Sequence, residues 1–205
     1  MLGTGNDIVA LAAINVVRTR QARFYSKILS SSEQSLCSDF EHQLPVENFV
    51  WLAWSVKESV YKFLQKFMPD LVFSPTKVII TKLESGPDLE GKVAYKGIVH
   101  YHSYTLYFRT IVDRGYIFSV VNFSDDFTGT HWGIKQIGSS EHAYQSAAVR
   151  EFLLIDLHKF LPGNNFTIDK SRHGWPMIMN NNKEIPLPVS LAHHDRYVAY
   201  SFQLK

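Results

Sequence analysis

The sequence predicts an α+β fold of two pseudo-symmetric lobes, each with helices packed on a small antiparallel sheet. Three observations predict it. In both halves a helical stretch precedes short segments in which β-branched or aromatic residues alternate with polar ones. Turn residues separate those segments, as at Asp113-Arg114-Gly115, and tight turns join antiparallel strands. Between the halves, Ser124-Asp125-Asp126-Phe127-Thr128-Gly129 is the best candidate linker. The expected lobes therefore cover residues 1–125 and 130–205. A chain of 205 residues suffices for one large domain or two small packed lobes. With 45% hydrophobic residues, including 14 Phe, 10 Tyr and 4 Trp, it can build a real core.

Each element has its own signal. Residues 2–11 carry Ile8, Val9 and Leu11 behind a Gly-rich start and read as a strand entering the core. Residues 14–29, with Val16, Val17, Ala22, Phe24, Tyr25 and Ile28, follow a mostly helical pattern. Ser30-Ser31-Ser32-Glu33 is an N-cap signal for the next helix. Pro45 precedes a longer helix expected over 46–67, closed by Pro69 and Pro75. There Val50, Trp54, Tyr61 and Leu64 line one side, and Trp51, Ser55, Glu58 and Lys62 share a neighbouring stripe. Strands are expected at 77–81, 92–99, 101–112 and 116–123, with Ser85-Gly86-Pro87-Asp88 as a turn. A further helix starts at Ser139-Ser140-Glu141 and runs to Phe160, ended by Pro162-Gly163-Asn164. Short strands at 166–169 and 177–179 flank the segment from Ser171 to Pro176, and Asn180-Asn181-Asn182-Lys183 makes a turn. One last strand is expected over 187–202.

Composition excludes several function classes. A formal net charge of +2 is too mild for a nucleic-acid binder with a clustered basic stripe. No stretch is long and uncharged enough to span a bilayer, so no membrane partner is expected. The first residues lack a basic n-region and place Asp7 in the apolar run, a poor signal peptide. A cytoplasmic location is the expectation. The single cysteine, Cys37, allows neither an intrachain disulfide nor a thiolate metal cluster and reads as structural.

Glu58 and Lys62, four apart on a helix, can be an ordinary surface ion pair. Asp7 shifts that reading. An acid in an apolar strand just after Gly5 costs desolvation unless a cap, a turn or a ligand compensates it. Two carboxylates from a strand and a helix suit magnesium, which takes one or two protein carboxylates and fills its octahedron with water and phosphate. His193 and His194, adjacent beside a strand, point to opposite faces and do not chelate one metal together. The plain reading is a satisfied or exposed histidine; the functional one is His193 bonding a phosphate or ribose. There is no G-x-S-x-G, P-loop or G-x-G-x-x-G pattern.

Taken in order, Gly5-Asn6-Asp7-Ile8, the segment from Arg23 to Glu33, Trp54-Ser55-Val56-Lys57-Glu58 with Lys62, and the segment from Ser190 to Ser201 resemble the 4′-phosphopantetheinyl transferase superfamily. Members carry a Gly-x-Asp-Ile strand and then a Lys-Glu-x-x-x-Lys helix. Residues 23–30 resemble the holo-acyl-carrier-protein synthase branch. The second half, with its Arg150 helix, Gly174-Trp175-Pro176 and Ala192-His193, resembles the N-terminal lobe of the two-lobed branch, placed here after the Gly-x-Asp lobe. Val9, Trp175 and Ala192 depart from that branch's pattern.

The resemblance implies transfer of the phosphopantetheine arm of coenzyme A to a serine of an apo acyl or peptidyl carrier protein, with release of 3′,5′-ADP. It implies Mg²⁺ on Asp7 and Glu58, catalysis by Glu58 and Lys62, and contacts to coenzyme A from Lys57, Arg172 and His193. Arg18, Arg20, Arg23 and Lys27 are the candidate basic rim for an acidic carrier, and two lobes in one chain imply a monomer. Two other readings stay open: a non-catalytic homologue that binds coenzyme A or a carrier, and a magnesium-dependent nucleotide diphosphohydrolase.

Overall fold

The structure, a computed structural model, describes residues 2–86 and 92–204. Part of the turn expected at 85–88 therefore lies outside the described residues. The chain opens with strand β1 (Gly5–Ala10), then short helices α1 (Val16–Thr19) and α2 (Ala22–Tyr25), helix α3 (Ser31–Asp39) and the long helix α4 (Val46–Leu64). Strands β2 (Val78–Ser85), β3 (Val93–Tyr101), β4 (Tyr104–Val112) and β5 (Tyr116–Asn122) follow. Strand β6 (Thr130–Gln136) leads into helix α5 (His142–Phe160). Five strands complete the chain: β7 (Phe166–Lys170), β8 (Pro176–Asn180), β9 (Lys183–Glu184), β10 (Val189–His194) and β11 (Tyr197–Gln203).

The result is a mixed fold of helices and antiparallel sheets. The first sheet runs β1-β5-β4-β3-β2, the second β10-β11-β6 and the third β7-β8-β9. The first strand, β1, pairs with the last strand of its sheet in sequence, β5 (Asp7 opposite Ser119). In the second sheet β6 likewise pairs with β11 (Ile134 opposite Ala199). Apolar residues of α4, including Val56, Val60 and Phe63, pack against Val9, Val99, Leu106 and Val121 of the first sheet. Val149, Leu153 and Leu157 of α5 bury against Val198 and Phe202 of the second. A third cluster, with Ile8, Phe118, Val120, Ala192 and Ala199, fills the space between the two sheets.

One buried ion pair ties the helices to the first sheet. Ser30 and Glu33 form the capping box that starts α3. Glu33 Oε1 also accepts from the Ile80 amide of β2 at 2.9 Å, and Oε2 from Lys57 Nζ of α4 at 2.6 Å. The same ammonium donates to the carbonyls of Ile28 at 2.7 Å and Pro75 at 3.0 Å, so all three of its protons are used. Both side chains are fully buried.

β1 and β10 belong to different sheets and are joined by side chains instead of a ladder. Asn6 N donates to Ser190 Oγ at 3.1 Å, and Ala10 N to His194 Nδ1 at 2.9 Å. Thr4 Oγ1 donates to Ser201 Oγ at 2.8 Å, and Gly3 N to Gln203 Oε1 at 2.7 Å. The Asn6 and Ala10 bonds satisfy buried amides of β1, while Gly3 and Thr4, just before β1, bond to Gln203 and Ser201 of β11.

Two expectations are corrected, and one strand is added. The helix expected over 14–29 is two four-residue helices, broken because Gln21 is extended (φ −78°, ψ 128°). Thr19 at the break bonds back to Asn15 O and accepts from Trp51 Nε1 at 3.0 Å, which anchors α1 on α4. The single strand expected over 187–202 is the hairpin of β10 and β11, turned at Asp195 with φ 50°. Asp can adopt this left-handed conformation because its short polar side chain tolerates it. β6 had no counterpart in the sequence reading, although Trp132 and Ile134 show a strand's period.

Lys57→Met would leave Glu33 charged and buried without its counterion. The expected loss is about 3–5 kcal/mol of stability, read by urea unfolding. Adding Glu33→Gln to that variant should cost much less than the sum of the two single changes, a coupling read in a double-mutant cycle.

Candidate active site

The site lies where α4 crosses β1. A Cβ on Gly5 would sit 2.1 Å from the Ser59 carbonyl oxygen, so only glycine lets the helix come this close. Ser59 Oγ donates to Ser55 O and reaches Ser119 O of β5 at 3.2 Å, fixing the helix against the sheet. Two residues after Gly5, Asp7 points its carboxylate to the same helix. Lys62 Nζ donates to Asp7 Oδ1 at 2.9 Å, with the two side chains 20% and 10% exposed. The plain alternative of a Glu58–Lys62 surface pair is not what forms: the ammonium bonds the strand's acid, and Glu58 stands beside both. Burial pushes the Glu58 carboxyl up, Lys62 opposes that, and the Asp7 charge adds to the rise.

His193 enters this cluster from β10. Burial holds its imidazole below the usual range, helped by His142 and Lys62 and opposed by Asp7. The His142 ring meets it edge-on, with centroids 5.1 Å apart. Asp7, Glu58, Lys62 and His193 are therefore brought together from β1, α4 and β10.

Two expected ligand residues are elsewhere. Lys57 is turned into the protein interior, onto Glu33 and two carbonyls, and has no exposed surface with which to meet a phosphate. Arg172 sits exposed in the β7–β8 turn, where its Nε donates to His173 Nε2 at 2.8 Å. Gly174 in that turn has φ +94°, and Trp175 stacks on His173 at 5.1 Å.

Lys66 escaped the sequence reading, although it continues the four-residue spacing of Glu58 and Lys62. Its Nζ donates to Thr4 O at 2.7 Å and to Val189 O at 2.6 Å. Burial, with Lys62 second, pushes its amine down to about 7. Along α4 and the turn that follows it, the order is then an aromatic end, a charged middle and a basic end. At the aromatic end, Trp51 and Trp54 line a cavity of about 570 Å³ with Arg18, Phe24, Lys27 and His194. At the basic end, Lys66 and Phe67 line a groove of about 380 Å³ with Trp175, Met177 and Ile178.

The donor set at the centre is two carboxylates. Among the described residues no group of three or more His, Cys, Asp or Glu forms a metal cage. Hard oxygen donors of this kind fit magnesium and not a closed zinc site. Cys37 is buried, and burial pushes its thiol up, in keeping with a structural role. No helix among the described residues is long and apolar enough to cross a membrane.

Fold and site together define a helix-on-antiparallel-sheet protein with a charged centre at the junction of two sheets. Comparison with known families is specific: the model of the 4′-phosphopantetheinyl transferase superfamily matches residues 3–121. That span is more than half of the 205 residues and contains Asp7, Glu58 and Lys62, so the chain belongs to this superfamily. Membership implies a transferase of phosphopantetheine, with coenzyme A and a carrier protein as its partners and typically a divalent metal. No curated protein matches the chain.

Glu58 binds its proton more tightly in the folded protein than in the unfolded chain. Its charge therefore costs stability at neutral pH, and the cost vanishes as pH falls below the ordinary glutamate value of about 4.3. Glu58→Gln is expected to melt above the wild type at pH 7, with the gap closing in acid. An equal or lower midpoint at pH 7 would contradict the placement of this carboxylate.

Proposed function

We propose that the chain transfers the 4′-phosphopantetheine group of coenzyme A to a serine of an apo acyl or peptidyl carrier protein, with Mg²⁺ bound at Asp7 and Glu58. The observation that carries this reading is the Asp7–Lys62 pair beside Glu58, with His193 facing it from the second sheet. Two carboxylates and an ammonium that already exchange charge are preorganised for a diphosphate and its cation. The two lobes proposed for residues 1–125 and 130–205 then meet at the cleft as a pseudo-dimer, so a monomer suffices.

The carrier serine oxygen bonds to the phosphorus that bears the pantetheine arm. The bond from that phosphorus to the bridging oxygen breaks, and 3′,5′-ADP departs with the electron pair. Glu58, whose carboxyl is pushed up by burial, takes the hydroxyl proton. Lys62 shifts from Asp7 to the diphosphate oxygens and balances their charge. A bound magnesium ion would supply further positive charge to the same oxygens. His193 holds the nucleotide end, with Lys66 and Trp175 beside the groove that receives it. Arg172, on the exposed turn that carries Trp175, supplies a cation there. Lys57 acts through the buried frame and not on the ligand.

At the other end of α4, the cavity of Phe24, Trp51 and Trp54 with Arg18 and Lys27 at its rim suits an acidic partner with an apolar contact face. Arg20 bonds Glu47 through two nitrogens, and Arg23 bonds Gln21, so Arg18 and Lys27 are the better-placed pair of that rim.

Incubation with apo carrier, coenzyme A and Mg²⁺ should add one phosphopantetheine mass to the carrier, read by mass spectrometry. Glu58→Gln should lower that rate by at least about 100-fold. Nucleotide breakdown with no mass gain would point to hydrolysis and overturn transfer. Arg18→Glu is expected to raise KM for the carrier and flatten its salt dependence with little change in kcat, read in the same assay across ionic strength.

A further inference from the structure

The end of β10 is held to β1 by one imidazole. Ala10 N, fully buried, donates to His194 Nδ1 at 2.9 Å. A ring nitrogen that accepts carries no proton, so the neutral ring keeps its proton on Nε2. The other end of β10 is held separately, by Lys66 Nζ on Val189 O and by Ser190 Oγ on Asn6 N. Between these clips β10 has no ladder to β1, because its hydrogen-bonded neighbour is β11. The residue next to the imidazole clip is His193, which lies against His142 and in the field of Lys62 and Asp7. Both residues stay paired with β11, His193 opposite Val198 and His194 opposite Tyr197, so the imidazole clip governs how this end of the hairpin sits against β1 and not whether it is a strand. His194 also forms part of the wall of the aromatic cavity.

We propose that His194 is a positioning residue: as an Nε2–H imidazole accepting from the Ala10 amide, it pins the end of β10 to β1 and sets His193 opposite the Asp7–Lys62 pair. Its kinetic consequence rests on the transfer reading above; the hydrogen bond itself does not. His194→Leu keeps bulk but leaves the buried Ala10 N–H without an acceptor. His194→Asn places a carbonyl oxygen close to where Nδ1 was and can accept the bond again. A purely space-filling role predicts the reverse ranking, since Leu fills the wall and Asn does not.

Two measurements on the full chain decide it. A nitrogen-15 imidazole correlation spectrum of the free protein at neutral pH should show His194 protonated on Nε2 only. Calorimetry should show coenzyme A bound roughly tenfold more weakly by His194→Leu and near wild type by His194→Asn, about the effect of one buried hydrogen bond. In the transfer assay the same ranking should fall on KM for coenzyme A more than on kcat. An Nδ1–H tautomer, wild-type affinity in His194→Leu, or His194→Asn as weak as His194→Leu would each overturn the proposal. If the wild type transfers nothing, the functional reading falls, while the spectrum and the binding ranking still decide the role of His194.

Discussion

The rest of the structure depends on the buried contact between Lys57 and Glu33. A helix turns about 100° per residue, so fixing the direction of Lys57 also fixes the direction of Glu58. With its ammonium held by Glu33 and the carbonyls of Ile28 and Pro75, α4 cannot rotate without leaving charge unpaired in the core. Glu33 meanwhile caps α3 and takes an amide of β2. One carboxylate thus registers two helices and an outer strand. The next residue of α4, Glu58, is delivered to the opposite task at the junction of the sheets.

Close approach does the remaining work of assembling the centre. Gly5 removes the Cβ that would meet the Ser59 carbonyl, and the helix axis moves near enough for Lys62 to reach Asp7. Physical meaning thereby attaches to the spacing of Gly5 and Asp7: one residue gives up its side chain so that the helix can meet the other. The second sheet is then attached by side-chain bonds along β1 and by Lys66 beneath. Such bonds specify position without a continuous ladder between the two sheets.

Much of this was legible in the residues. Asp7, Glu58 and Lys62 stood out because charges in apolar surroundings demand a reason, and the structure groups them. The Ser30–Glu33 capping box and the Pro45 boundary of α4 were local signals and are found as read. Lys57 was misread because charge alone does not tell a buried counterion from a ligand contact; its partner is 24 residues away in sequence. Lys66 and His142 were passed over because their meaning comes from Val189 and His193, far along the chain. The break at Gln21 went unseen because the pull of Trp51 on Thr19 is a tertiary contact.

By itself the sequence determined the helix caps, most strand positions, the absence of a disulfide and the acids and amine that form the centre. These follow from periodicity, turn chemistry and the cost of burying charge, all of which act over a few residues. Only the tertiary structure decided that Lys62 bonds Asp7 and not Glu58, that Lys57 faces inward, and that His193 reaches the pair from another sheet. Those outcomes depend on how closely α4 and β10 approach β1. That distance is set by packing between segments that the order of residues alone does not bring together.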